Sequence, residues 1–197
     1  MTAALRQATL AAILLTSGTV LLTADAMARA ADTYTVDPVH SSISFTISHA
    51  GISNIHGRFN DFSGKFVIDK TDPSKSSFTL TIPIESVDTN NVKRDEHLRA
   101  PDYFNAKQFP TMTFQSTKVA PIDGGFEVTG DLTMHGVTKP ITFKLKGGDK
   151  EVEFPKGTKR VGVVSTFSII RSEFGVTAEI GNLGDEIPVT VGIQASK

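Results

Sequence analysis

Residues 42–49, S-I-S-F-T-I-S-H, alternate small polar side chains with larger, mostly apolar ones. In a β-strand, successive side chains point to opposite faces of the sheet, so this alternation gives the strand one apolar and one polar face. The same period of two returns along the chain in further short segments. Such strands hide their apolar faces by stacking two sheets or by closing one sheet into a barrel. The sequence therefore predicts an all-β fold.

Turn-forming residues separate the alternating segments. They include Asp72-Pro73, Asp123-Gly124-Gly125, His135-Gly136, Gly147-Gly148 and Pro155-Lys156-Gly157. Short intervals without long helices favour antiparallel pairing of consecutive strands. The predicted strands are 34–36, 43–49, 62–68, 78–84, 111–119, 126–134, 141–145, 161–169 and 187–193.

Two positions depart from this pattern. Residues 90–100 are compatible with a helix that Asn90 or Asn91 caps and Pro101 ends. The segment is charged all round, so we expect an exposed helical connector, with a position across an opening as the alternative. Pro188 lies inside the last predicted strand and cannot donate a ladder hydrogen bond, which predicts an edge-like or bulged position there and an incompletely closed barrel.

The first thirty residues have the features of a secretory signal peptide. Arg6 supplies a positive start, residues 8–22 form an apolar stretch too short for a membrane span, and small residues favour cleavage after Ala30. We predict a signal peptide at 1–30, a single domain at 31–197 and a periplasmic location. No second apolar run of spanning length follows, so stable membrane insertion is not expected.

Composition excludes several classes of chemistry. The chain has 197 residues and no cysteine, which excludes disulfides, thiol catalysis and thiolate metal sites. Its formal net charge of −1 gives no electrostatic reason to expect nucleic acid as a partner.

Histidine and serine could still support catalysis. His40, His49, His56 and His135 invite a zinc interpretation, but no His-x-His or His-Glu-x-x-His pair is present. The sequence also contains no Gly-x-Ser-x-Gly motif. We predict no catalytic residue and no metal, and a metal-dependent or serine hydrolase stays the weakest alternative.

Four segments, in order along the chain, resemble the YceI-like family of lipocalin-like, polyisoprenoid-binding proteins. They are 37–59 (DPVHSSISFTISHAGISNIHGRF), 98–114 (LRAPDYFNAKQFPTMTF), 130–143 (GDLTMHGVTKPITF) and 167–176 (FSIIRSEFGV). The resemblance implies an antiparallel, lipocalin-like β-barrel of about eight strands with a long internal pocket, and no catalysis. It also implies a partner of long-chain isoprenoid, quinone-like or fatty character, with no other cofactor. Monomer and homodimer both stay open.

If the barrel closes, the strand period predicts which side chains face its interior. Phenylalanine and aliphatic residues offer no hydrogen bonds, so this lining would disfavour a polar ligand. The alternative is a solid core of the same side chains, in a protein that acts through its surface in stress protection or interaction. The predicted lumen residues are Phe45, Ile47, Phe66, Leu80, Ile82, Phe114, Leu132, Met134, Phe143 and Phe167.

A ligand headgroup requires polar side chains at the rim. His49, Arg58, Arg94, His97 and Arg171 are the predicted rim residues, able to meet a pyrophosphate or a quinone oxygen. Each could instead be a solvated charge or part of a structural ion pair. For Arg171 the sequence leaves a structural and a rim role equally open.

Overall fold

The computed structural model describes residues 31–197, so the predicted signal peptide lies outside the described residues. One α-helix, α1 (Val92–Arg99), and four 3-10 turns (Pro38–His40, Pro73–Lys75, Ile84–Ser86 and Arg171–Phe174) accompany the strands. The strands are β1 (Asp32–Val36), β2 (Ser42–His49), β3 (Ser53–Phe59), β4 (Ser63–Ile68), β5 (Ser77–Pro83), β6 (Val87–Asp88), β7 (Thr111–Ile122), β8 (Gly125–Met134), β9 (Val137–Gly147), β10 (Val152–Glu153), β11 (Lys159–Ile170) and β12 (Glu186–Ser196).

Eight strands close into an antiparallel barrel. Its order is β1-β4-β5-β7-β8-β9-β11-β12, and β12 pairs back with β1. The predicted all-β barrel of about eight strands with one short helix is therefore confirmed, and each of the nine predicted strands is present.

Strands β2, β3 and β6 extend the sheet beyond this ring. β1 and β2 pair with successive parts of β12, and the turn Pro38–His40 lies between them. β3 then pairs with β2 along its whole length. The sequence interpretation missed β3 because Gly57 occupies an inward position where an apolar residue is expected. The ring of Phe45 fills that space, since a Cβ built on Gly57 would lie 2.3 Å from Phe45 Cζ.

The end of the barrel that contains β1 is closed by buried side chains. Tyr34, Val128 and Ala195 are fully buried there. The Tyr34 hydroxyl donates to Glu151, whose carboxylate also pairs with Lys197. A polar cluster therefore covers this end of the apolar interior.

The short backbone ladders of the barrel do not involve Pro188. That residue pairs with Ser168 of β11, while pairing with β2 begins only at Val189. Pro188 is thus edge-like on one side only, and the expected incomplete closure there is wrong because β11 and β12 pair at eleven consecutive positions. The short ladders lie instead between β1 and β12, which pair at two positions, and between β9 and β11, which pair only at Val163↔Gly147 and Val164↔Lys146.

Gly147 brings β9 close to β11 at this short ladder. Its φ is +91°, and a Cβ there would lie 2.3 Å from the carbonyl oxygen of Gly162. Only glycine combines this left-handed backbone with such a close approach.

No helix among residues 31–197 is long and apolar enough to cross a bilayer.

Candidate functional site

A cavity of about 370 Å³ lies inside the barrel. Its lining comes mainly from the inward faces of β2, β3, β5, β7, β8, β9, β11 and β12, and β4 adds Phe66. The described residues therefore enclose a cavity rather than the solid core that the sequence left as an alternative. Every predicted lumen residue borders the cavity, and their role as ligand contacts stays a prediction: Phe45, Ile47, Phe66, Leu80, Ile82, Phe114, Leu132, Met134, Phe143 and Phe167.

Aromatic rings form two groups around the cavity. Near the closed end, Phe66 and Phe78 border the cavity with their ring centroids 5.1 Å apart, and Phe126 lies behind Phe78 with a centroid distance of 5.5 Å. Farther along, the ring of Phe143 lies 4.7 Å from that of Phe167, and the two planes differ by 14°. These surfaces make dispersion contacts but no hydrogen bonds, so they favour a hydrocarbon occupant.

The polar end of the cavity opens between three segments. His49 at the end of β2, His97 on α1 and Glu179 in the segment after β11 all line the cavity and are exposed to solvent. His97 also pairs with Asp102, with Nε2 and Oδ2 2.9 Å apart. We call this opening the mouth. Arg94 and Glu179 give the mouth charge of both signs, unlike the cavity interior.

The helix α1 lies across the mouth. Asn91 caps it by accepting a hydrogen bond from the Arg94 backbone N–H at 3.1 Å. Arg94, His97 and Leu98 all line the cavity. The expectation of a purely exposed connector is therefore wrong, because Leu98 covers apolar surface that would otherwise meet water.

Arg94 is held in place by hydrogen bonds. Its Nε and Nη2 donate to the hydroxyl and the carbonyl of Thr89, each at 2.7 Å. Thr89 in turn donates its backbone N–H to the buried carboxylate of Asp95 at 2.8 Å. Arg94 makes no ion pair within residues 31–197, so its charge remains available at the mouth.

Arg171 is buried, with 4% of its surface exposed. Its guanidinium donates to the carbonyls of Gly184 (2.9 Å), Val176 (3.0 Å) and Leu183 (3.3 Å). These bonds fasten the segment 176–184 to the end of β11. Arg171 also borders the cavity, so it combines the structural and rim positions that the sequence left open.

Arg58 does not border the cavity, and its predicted rim position is wrong. It lies between the inward-facing Gly57 and Phe59 on β3, so the strand period directs it outward. There it pairs with Asp88 at 3.0 Å. The Asn90 backbone N–H, with additional bonds from Asn60 and Arg58, lowers the pKa of Asp88 to about 2.

Two mouth residues were not predicted from the sequence. Tyr103 is buried beside the ring of His97, with centroids 4.8 Å apart. Burial and the neighbouring Glu179 raise the pKa of Tyr103. The sequence gave one indication of Tyr103, an aromatic residue in the loop segment P-D-Y-F. It gave no indication of Glu179, because the mouth is formed by segments that are far apart in sequence.

The remaining histidines lie in separate places. His40 bonds to Asp37 at 2.8 Å in the turn before β2, His56 bonds to Thr46 on the outer face, and His135 lies in the β8–β9 turn. Across residues 31–197, no group of three or more His, Cys, Asp or Glu side chains is arranged to hold a metal ion.

Comparison with known proteins connects this architecture to a family. The family model described as YceI-like domain matches residues 34–195. The chain belongs to the YceI-like family. A UPF0312 protein of Pseudomonas aeruginosa, PA0423, is 40% identical over 191 residues, which cover 94% of this chain and 96% of that protein.

Two solved structures share the fold. Burkholderia cenocepacia BcnA matches with a TM-score of 0.70 at 24% identity, covering 81% of this chain and 99% of BcnA. A polyisoprenoid binding domain from Saccharophagus degradans matches with a TM-score of 0.63 at 19% identity, covering 82% of this chain and 97% of that domain. At these identities the likeness establishes the shared barrel fold and does not extend to the ligand.

Proposed function

We propose that this YceI-like protein binds a polyisoprenoid or similar long-chain amphiphile in its cavity, as a carrier or sequestering protein that makes and breaks no bond. The observation that carries the proposal is the cavity of about 370 Å³ with its almost wholly apolar interior. The structural match to a polyisoprenoid binding domain supports the same ligand class.

The cavity volume sets the scale of binding. A liquid water molecule occupies about 30 Å³, and a carbon group of a lipid tail is of similar size, so the cavity holds about a dozen carbon groups. Burying each contributes about 0.8 kcal/mol, or about 10 kcal/mol for the set before ordering costs are subtracted. A longer tail would extend beyond the cavity, and its headgroup would stay outside.

Extraction of the purified protein with organic solvent, followed by mass spectrometry, tests for a bound lipid. Uptake of cis-parinaric acid, a fluorescent polyene fatty acid, tests binding directly. Leu80→Trp should weaken uptake because Leu80 lines the cavity. Thr81→Trp on the exposed face of the same strand is the matched control and should bind normally. Protein that carries no stoichiometric lipid and takes up no probe would contradict the proposal.

We further propose that the protein works in the periplasm after removal of residues 1–30. Cell fractionation and N-terminal sequencing of the purified protein test this location. The expected mature chain begins at Ala31, and a cytoplasmic protein that retains Met1 would contradict it.

A further inference from the structure

The hydrogen-bonded circuit of the barrel has two short ladders, β1–β12 and β9–β11, each with two paired positions. Beyond the first, β12 pairs with β2 instead, so only at the second do both strands continue without a partner on that side. β8 and β9 pair at ten consecutive positions and β11 and β12 at eleven, but β9 and β11 pair at only two. Beyond those two positions both strands continue, as residues 137–145 of β9 and 165–170 of β11. No pairing between these two stretches occurs within the described chain. We call this pair of stretches the seam.

Side chains, rather than backbone hydrogen bonds, close the seam. Extending the observed register places Phe143 opposite Phe167, and their rings stack at 4.7 Å. Both rings line the cavity, as do Ile141 and Ile169 on either side. Side-chain rotation is fast and breaks no ladder, so the seam can open far more readily than the paired parts of the barrel.

The outer surface of the seam is almost uncharged. On β11 it presents Thr166, Ser168 and Ile170, and on β9 Thr138, Pro140 and Thr142, with Lys144 as the charged exception. Val164, just below the seam, is 54% exposed. A hydrocarbon chain can lie against such a surface without displacing water from charged groups.

The mouth is a less favourable route for a hydrocarbon. Arg94, His97 and Glu179 line it, and α1 lies across it. An apolar tail that threads through the mouth must pass charged, hydrated side chains. In the middle of the seam the same tail meets phenylalanine and isoleucine, and Lys139 lies only at the end of the seam nearest the β8–β9 turn.

We infer that the tail of a single-chain amphiphile passes sideways through the seam as Phe143 and Phe167 separate, while its headgroup stays outside the barrel. This inference rests on the proposed lipid-binding function. It assigns Phe143 and Phe167 a role in the rates of uptake and release, beyond their place in the lining.

A disulfide across the seam tests the route, and the absence of native cysteines makes the test specific. Lys144→Cys with Thr166→Cys joins two exposed positions that face each other in the extended register. The control is Thr129→Cys with Thr142→Cys across the fully paired β8–β9 ladder, where the two hydroxyl oxygens lie 2.9 Å apart. If the first pair lies too far apart to oxidise, a short bismaleimide closes the seam instead.

Stopped-flow fluorescence with cis-parinaric acid gives the rates. Closing the seam should slow uptake and release at least about tenfold while equilibrium affinity stays similar, because the fast side-chain route is lost. Reduction of the disulfide should restore both rates, and the control disulfide should leave them unchanged. Unchanged rates in protein whose cross-link across the seam is verified by mass spectrometry would overturn the inference.

A second pair of variants opens the seam. Phe167→Ala should accelerate probe release, whereas Ser168→Ala on the outer face should not. Equal release rates for Phe167→Ala and unmodified protein would also count against the seam. Failure of the unmodified protein to bind any probe would refute the proposed function itself, whereas normal binding at rates that the cross-link does not affect would refute only the route.

Discussion

Replacing Glu151 by glutamine removes a carboxylate that three lysines share at the closed end of the barrel. Lys159 and Lys197 lie 3.1 Å from its oxygens and Lys70 lies 3.4 Å away. The buried Tyr34 hydroxyl donates to the same carboxylate. Only 16% of the Glu151 side chain is exposed, so solvent screens these interactions incompletely.

The size of the effect follows from these contacts. A hydrogen bond to a charged group contributes about 1.5–3 kcal/mol. The three lysine side chains are 23–45% exposed, and Asp32 still pairs with Lys70 and Lys197 after the substitution, which limits the total. We therefore expect Glu151→Gln to lower the free energy of unfolding by about 2–3 kcal/mol.

Urea unfolding measures this loss as a lower midpoint at an unchanged m-value. Glu127→Gln is the matched control, because Glu127 is exposed on the outer face of β8, and we expect a change below about 0.5 kcal/mol. If both variants unfold at the same midpoint, the cluster does not stabilise the barrel.

The cluster also gives stability a pH dependence of known sign. The Tyr34 hydrogen bond and the lysines hold the pKa of Glu151 well below its usual 4.5. Its contribution is therefore complete above about pH 5 and falls as the solution is acidified. Burial, with the bond to Glu151, raises the pKa of Tyr34 from 10.0 to about 12, so its contribution is lost as pH rises through that interval.

Two variants test these pH effects. Glu151→Gln should flatten the acid side of the stability profile, because it removes the titrating carboxylate. Tyr34→Phe should flatten the alkaline side between pH 10 and about 12, and it should also weaken the acid side, because the Tyr34 hydroxyl helps to lower the pKa of Glu151. Urea midpoints measured across the pH range test both. Profiles parallel to that of the unmodified protein would refute the assignment of the titrating groups.

Three further substitutions test the rest of the barrel. Arg171→Met should lower the free energy of unfolding in urea by about 3–5 kcal/mol, because it leaves the carbonyls of Gly184, Val176 and Leu183 without their donor. Arg58→Met, at an exposed position, is the control and should lower it little, and equal losses would contradict the assignment. Gly57→Ala should lower the free energy of unfolding by about 1–3 kcal/mol, because the new Cβ would lie 2.3 Å from Phe45. Gly162→Ala is the control, because the atom nearest to its Cβ would be 3.9 Å away. If Gly57→Ala causes the same loss in Phe45→Ala protein, the Phe45 ring is not the cause. Ser165→Ala should be neutral or slightly stabilising, because the buried Ser165 hydroxyl has no partner among the described residues; a clear loss of thermal stability would show that the hydroxyl is satisfied.

The barrel was predictable because its information is local. Each of the nine predicted strands carries the period of two, and the side chains on its apolar face border the cavity or the buried core. β3 escaped prediction because a tertiary contact, the ring of Phe45 over Gly57, supplies the apolar group that its sequence lacks. Because β3 was not predicted, the sequence could not show which face of the sheet Arg58 lies on, and its rim position was predicted wrongly.

The mouth was less predictable because it joins segments distant in sequence. His49, His97 and Glu179 come from the end of β2, from α1 and from the segment after β11. Their residue types have many roles in proteins, and only the closure of the barrel brings them together. The partners of Arg171 could not be predicted, because all three acceptors are backbone carbonyls, which every residue type has.

In the route that we infer, stability and access are located in different parts of the barrel. At the closed end, the Tyr34–Glu151 cluster and the long β11–β12 ladder fix the strands around Ala195. Farther along, β9 is held by β8 alone and β11 by β12 alone, with stacked rings between them. Opening the seam therefore leaves both flanking ladders and the closed end intact. A barrel built in this way can admit a tail at one seam without the cooperative unfolding that opening a fully paired ladder would require.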